Sequence, residues 1–194
     1  MIAYLKGNFT LITPTFVHIE VQGVGYEVFI SLNTYAEIQD KSSGQLYTHL
    51  HIREDAHILY GFATSSEKEM FLQLLGVNGV GASTARMMLS SLKPEEIARA
   101  IVQGNSKQLE AVKGIGKKSA ERIILELRDK LTKQSLDLNN SISVGNTTET
   151  DALNALLALG IARPAAEVAL RKSMQQLSGS DKVEEIIKSA LKNL

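Results

Sequence analysis

Apolar and polar positions alternate with a period of two along the first third of the chain. Val17, Ile19 and Val21 are spaced by His18 and Glu20, Gln22-Gly23-Val24-Gly25 interrupts them as a turn, and Tyr26, Val28 and Ile30 resume the alternation. This is the pattern of strands with one buried face. Leu46, Thr48, Leu50 and Ile52 repeat it, and Ala56 to Phe62 follow beyond the charged turn Arg53-Glu54-Asp55. Five short strands with a small helical insertion near Leu32 to Ile38 predict a small barrel. The five-stranded oligonucleotide-binding barrel is one such architecture, and strand number alone does not select it.

From Ser65 the period lengthens to that of a helix. Ser66 and Glu69 have the spacing of a capping box, and Met70, Phe71, Leu74 and Leu75 form an apolar stripe. Ala85, Met88 and Leu89 mark the next helix, and Pro94 opens another with Ile97, Ala98, Ile101 and Val102 before Gly104 closes it. Leu109 and Val112 line a short helix. Lys117 to about Lys133 form a longer one that buries Ala120, Ile123, Ile124 and Leu127 and exposes Lys118, Arg122 and Arg128. Residues 135–149 have no usable period and are rich in small polar residues, which reads as a flexible linker. Beyond it Leu153, Leu156, Leu157 and Leu159 form an amphipathic helix ended by Gly160, with two more around Ala165 to Leu177 and Asp181 to Leu194. About 45 residues in three short helices lie near the lower limit for independent folding, so a partner covering an apolar face is expected.

One pattern occurs twice. Gly79-Val80-Gly81-Ala82-Ser83-Thr84-Ala85-Arg86 and Gly114-Ile115-Gly116-Lys117-Lys118-Ser119-Ala120-Glu121 are offset by 35 positions, and each is a Gly-aliphatic-Gly turn entering a helix. A helix N-terminus presents unpaired N–H groups and partial positive charge, and glycines let a phosphate approach that backbone. A single Gly-x-Gly is as readily a helix cap as a binding turn. Two copies, each flanked by helices, make a tandem helix-hairpin-helix pattern suited to sequence-independent gripping of a nucleic-acid backbone, and the second adds Lys117, Lys118 and Arg122.

Charge supports that reading once it is divided along the chain. The 194 residues carry 21 Lys/Arg and 21 Asp/Glu, but residues 1–62 hold three cations against six acids and residues 63–133 hold twelve against eight. Local rather than total charge sets affinity for phosphate. Cysteine is absent, which excludes disulfides, thiolate metal sites and cysteine nucleophiles. No stretch is apolar for long enough to span a bilayer, and Met1 to Lys6 lack a signal-peptide layout, so the expectation is a cytoplasmic protein without membrane contact.

Two nucleotide-binding look-alikes fail. A P-loop around Gly116-Lys117 would need glycine at Ala111 and Ser or Thr at Lys118, and neither repeat completes G-x-G-x-x-G because Thr84 and Ser119 fill the last place. ATP-driven work would therefore come from a partner. Glu54 and Asp55 read most simply as a solvated turn. A metal-dependent reading would require further carboxylates, with only His49, His51 and His57 nearby. A third reading is electrostatic, since two carboxylates held among phosphates repel DNA strands and so separate them.

The chain resembles the RuvA family of Holliday junction branch migration proteins over nearly its whole length. The residues that carry the resemblance are Met1-Ile2 with Leu5 and Gly7, Ile19 to Val28, Arg53-Glu54-Asp55-Ala56, Leu59-Tyr60-Gly61-Phe62, Asn78-Gly79-Val80-Gly81 and Gly114 to Arg122. It implies an α+β multi-domain protein: an oligonucleotide-binding barrel over 1–63, a tandem helix-hairpin-helix domain over 64–134, a linker over 135–149 and a three-helix domain over 150–194. It implies a homotetramer, alone or as a pair of tetramers, on a four-way junction, serving recombination and repair with the hexameric ATPase RuvB and the junction resolvase RuvC. Gly79, Gly81, Ser83, Thr84, Gly114, Gly116, Lys117, Lys118, Ser119 and Arg122 would grip phosphates. Glu54 and Asp55 would form the acidic pin at the junction centre, and Leu156, Leu159 and Ile161 would contact the ATPase. No catalytic residue, cofactor or metal is expected.

The chain departs from the family pattern at Ala82-Ser83, where many members have Pro-Lys, and at Ile161, where an aromatic is common. The alternative is a helix-hairpin-helix, metal-dependent DNA repair enzyme, with Asp129 as the nearest candidate acid. A general single-strand binder would need exposed stacking aromatics, and the chain has only five Phe and five Tyr.

Overall fold

The computed structural model describes residues 1–140, 147–176 and 182–193. β1 (Tyr4–Ile12), β2 (Phe16–Val21), β3 (Val24–Ile30), β4 (Ser43–Ile52) and β5 (His57–Phe62) close into a barrel in the order β1-β2-β3-β5-β4. β3 and β5 pair in parallel and the other neighbours are antiparallel. The period-two pattern sorts the side chains: Leu5, Val17, Ile19, Val28, Ile30, Leu46 and Leu59 fill the interior, joined by Ile38 from α1 (Leu32–Ile38). The β2–β3 turn is shorter than the sequence pattern predicts. Gln22 and Gly23 both take positive φ, 49° and 84°, so two residues reverse the chain and Val24 already pairs with Val21.

The helices that follow are α2 (Ser65–Leu75), α3 (Ala82–Ser91), α4 (Pro94–Val102), α5 (Ser106–Glu110) and α6 (Lys117–Asn140). The start of α2 corrects the expected cap. Thr64, not Ser66, is the N-cap, and its hydroxyl accepts from the Glu67 N–H at 3.2 Å. Thr64 and Ser66 lie two positions apart, and Thr64 is the one with the extended backbone of a cap, φ −125° and ψ 154°. α6 runs on to Asn140, into the segment expected as linker. Residues 134–140 contain no Gly or Pro, and extending an established helix costs little even through residues of modest propensity. The middle of that expected linker, 141–146, lies outside the described residues.

The barrel's outer surface is part of the helical core. Tyr60 and Phe62 of β5 pack with Met70, Phe71 and Leu74 of α2 and with Leu89, Ile97, Ile101 and Ile123. The Phe71 ring lies 4.9 Å from Phe62, 5.2 Å from Tyr60 and 5.7 Å from His49. His49 Nε2 is buried without a hydrogen-bond partner among the described residues, and burial, with His51 and Lys68 adding like charge, holds its pKa below the ordinary 6.5. Glu67 is the other buried titratable group. Burial raises its pKa above the usual carboxyl value, opposed by hydrogen bonds from Ser31 and Thr34.

The chain divides into two compact units, Met1–Gln134 and Ser135–Leu194. In the second, α7 (Thr147–Ala158), α8 (Arg163–Gln176) and α9 (Val183–Lys192) pack through small residues, with Leu156 against Ala166, Ala169 and Ala190, and Ala152 against Leu170 and Ile186. No helix among the described residues is long and apolar enough to cross a membrane. Leu177 and Asp181, expected at helix ends, lie outside the described residues, as does Leu194.

Candidate nucleic-acid interface

The two glycine turns share one hydrogen-bond pattern. In the first, Val77 N–H donates to Leu74 O, Val80 N–H to Val77 O and Ala85 N–H to Gly81 O; in the second, Val112 donates to Leu109, Ile115 to Val112 and Ala120 to Gly116. Every donor and acceptor is shifted by the 35 residues that separate the repeats. Gly79 and Gly114 take φ of 86° and 92°, a region that costs other L-residues dearly. Between the glycines Val80 and Ile115 are buried, so the aliphatic residue anchors the turn in the core while its glycine neighbours face outward. Sequence repeat, turn conformation and core anchor are therefore one device.

Each turn delivers the chain into a helix at its N-terminus. Gly81 is the N-cap of α3 and offers no side chain to cap the first amides, so the N–H groups of Ala82, Ser83 and Thr84 are the donors left to an incoming phosphate. Ser83 is exposed and Thr84 half-buried. At the second turn Gly116, Lys117 and Lys118 are exposed and Ser119 is half-buried.

The copies differ in their cations. Lys117 corresponds to Ala82, which is buried, so the first hairpin has no room for a charge there. Lys118 corresponds to exposed Ser83. Arg122 reaches across: its Nη1 donates to the Asn78 carbonyl at 3.2 Å, and a side chain at Gly79 would lie 3.9 Å from that nitrogen. The second hairpin's guanidinium thus stands beside the first hairpin's turn. Arg86, the cation inside the first repeat, is committed elsewhere, donating to Thr15 O at 3.1 Å and lying 5.3 Å above the Phe29 ring. Lys113 is exposed immediately before Gly114 and was missed from sequence, although the 35-residue offset pairs it with Asn78 in the first turn.

The acidic pair sits at the tip of the β4–β5 hairpin. Ile52 pairs with His57 and Arg53 N–H donates to Ala56 O at 2.8 Å, which leaves Glu54 and Asp55 as the two tip residues, both exposed. Arg53 Nε lies 3.4 Å from Asp55 Oδ1, a solvated contact that offsets little of the tip's charge. His49 and His51 share the barrel's outer face, their rings 6.1 Å apart.

Residues 1–61 match the RuvA N terminal domain, and residues 71–129 match the SAM-like helix-hairpin-helix tandem. Over 194 residues and the full length of both chains, the protein is 47% identical to the Holliday junction branch migration complex subunit RuvA of Christiangramia forsetii. It is 46% identical over 195 residues to the same subunit of Flavobacterium psychrophilum, again across both full chains, and 44% identical over 197 residues to that of Cytophaga hutchinsonii, covering 99% of each. The chain belongs to the RuvA family. The acidic tip falls within the first matched segment and both glycine turns within the second. The family fold, an oligonucleotide-binding type of barrel followed by tandem helix-hairpin-helix units and further helices, is the fold described above.

Family membership does not favour the repair-enzyme alternative. Asp129 is exposed on α6, and among the described residues no three His, Asp or Glu side chains gather as a metal ligand set. The expected partner residues divide. Leu156 is fully buried in the second unit's core, Ile161 packs at its edge, and Leu159 is 63% exposed. Leu156 therefore shapes this unit from inside, and Leu159, in the α7–α8 connection, is the exposed one of the three.

Proposed function

We propose that the chain is a non-catalytic DNA-binding subunit that grips the arms of a four-way junction and positions a separate ATPase that drives branch migration. The observation that carries the reading is the pair of glycine turns with one hydrogen-bond pattern, each leading into a helix N-terminus, in a chain whose full-length relatives are named for Holliday junction branch migration. Backbone amides and lysines recognise phosphate irrespective of base sequence, as a subunit acting along moving DNA requires. Gly79, Gly81, Ser83 and Thr84 serve the first hairpin, and Gly114, Gly116, Lys117, Lys118, Ser119 and Arg122 the second, with Lys113 beside them. Glu54 and Asp55 act as the separator, repelling strands at the junction centre.

Within this reading 1–63 carries the separator, 64–134 grips DNA, 135–149 connects, and 150–194 recruits the motor, with Leu159 and Ile161 at the contact and Leu156 supporting them. The partners are three further copies of this chain, RuvB as the ATPase and RuvC as the resolvase, in the cytoplasm. The mass of the complex in solution, with and without a synthetic four-way junction, tests the assembly. A tetramer, or two tetramers around one junction, is expected; a monomer on the junction would overturn it.

A further inference from the structure

Glu67 is buried, 3% exposed, and no Lys or Arg pairs with it among the described residues. It occupies the third position of α2 after the Thr64 cap, where a glutamate ordinarily folds back onto the N-cap N–H. Here the carboxylate turns to the start of α1 instead. It accepts hydrogen bonds from the Ser31 hydroxyl and, at 2.6 Å, from the Thr34 hydroxyl. Ser31 is the N-cap of α1, accepting from Thr34 N–H at 3.0 Å, and Thr34 Oγ1 also accepts from Ala63 N–H at 3.0 Å, where the chain leaves β5. One carboxylate thus ties together α1, α2 and the end of the barrel.

α1 continues the connection to the first hairpin. Asn33 Nδ2 donates to Leu89 O at 2.6 Å and to Leu92 O at 3.1 Å, and Leu32 N–H donates to Ser90 Oγ at 3.1 Å, so α1 grips the C-terminal end of α3, the helix that Gly81 caps. A buried charge without a counter-ion is an expensive means of stabilising a fold, and apolar packing would serve better. What the carboxylate supplies is directional: two acceptor oxygens that admit one placement of α1 against α2.

We propose that Glu67 is a positioning residue, which, through Ser31 and Thr34 and the Asn33 grip on α3, sets where the first glycine turn stands relative to the acidic tip at Glu54 and Asp55. The inference rests on the junction reading above, because only a junction engages hairpins and tip together, whereas linear duplex needs the hairpins alone.

The experiment compares full-length wild type, Thr34→Val, Thr34→Ser and Glu67→Gln for affinity to a four-way junction and to linear duplex, with thermal melting to establish that each is folded. Thr34→Val removes the hydroxyl at nearly constant shape, Thr34→Ser retains it, and Glu67→Gln exchanges one acceptor for a donor. Thr34→Val and Glu67→Gln are expected to lower the junction-to-duplex affinity ratio about tenfold, with duplex affinity changed less than about twofold. Thr34→Ser keeps the wild-type ratio. If both affinities fall in parallel, or the ratio holds in Thr34→Val, the network is merely structural and the proposal is overturned. Should Glu67→Gln not fold, the Thr34 pair decides alone. A wild-type chain with no junction preference would overturn the underlying reading, a result separate from a ratio that survives the substitutions.

Discussion

Ser83→Lys should give the first hairpin one of the cations that the second carries. Ser83 is exposed on the first turn of α3 and corresponds by the 35-residue offset to Lys118, so a lysine there enters solvent beside the first amides of the helix. Each phosphate neutralised on B-DNA adds about 0.9 to the slope of log affinity against log salt. One added contact per engaged protomer therefore steepens the slope by about 0.9, and the affinity gain over wild type shrinks about 3.5-fold between 50 and 200 mM salt. Ala82→Lys is the contrasting change, because Ala82 is 6% exposed and the new charge would have to be buried or displace the helix. Fluorescence anisotropy titrations of a short duplex at four or five salt concentrations read both slopes. An unchanged slope for Ser83→Lys, with the protein folded, would refute the placement of phosphate at the first turn.

Other consequences follow from the same geometry. Lys117→Ala with Lys118→Ala should flatten the salt slope by up to about 1.8 per engaged protomer and weaken duplex and junction alike. Ile115→Ala empties the core anchor of the second turn and should cost about 2–5 kcal/mol in urea denaturation. Glu54→Gln with Asp55→Asn should preserve or strengthen junction binding while altering branch migration with the motor present; lost binding would contradict the separator role. His49 has a depressed pKa in the folded state, so its contribution to stability is present above the ordinary value of 6.5 and is lost as pH falls through the folded value. Melting temperature should accordingly drop on acidification from pH 7, and His49→Leu should flatten that part of the profile. Leu159→Glu should leave the melting of the three-helix unit unchanged and abolish motor recruitment in a pull-down.

Much of this fold can be read from residue spacing. Alternation places Val17, Ile19 and Val28 inside the barrel, the helical insertion expected near Leu32 to Ile38 is α1, and the glycine repeat marks both hairpins. These are local signals, each written in a few adjacent residues. What escaped is tertiary. Spacing points to Ser66 and Glu69 as the cap of α2, whereas Thr64 caps it and the carboxylate of Glu67 meets hydroxyls from α1 and its cap more than 30 positions away. Leu156 and Leu159 share an apolar stripe, but only packing against Ala166 and Ala190 distinguishes the buried one from the exposed one. α6 runs beyond Lys133 because no breaker stands there, although the absence of an apolar period and the small polar residues of 135–149 point to a linker.

The measurement closest to the central claim is a competition shift assay in which labelled four-way junction, bound by the full-length chain, is challenged with unlabelled junction or with linear duplex of equal length. The duplicated hairpins and the acidic tip predict that junction competes at far lower concentration than duplex. Equal competition by the two would contradict the account.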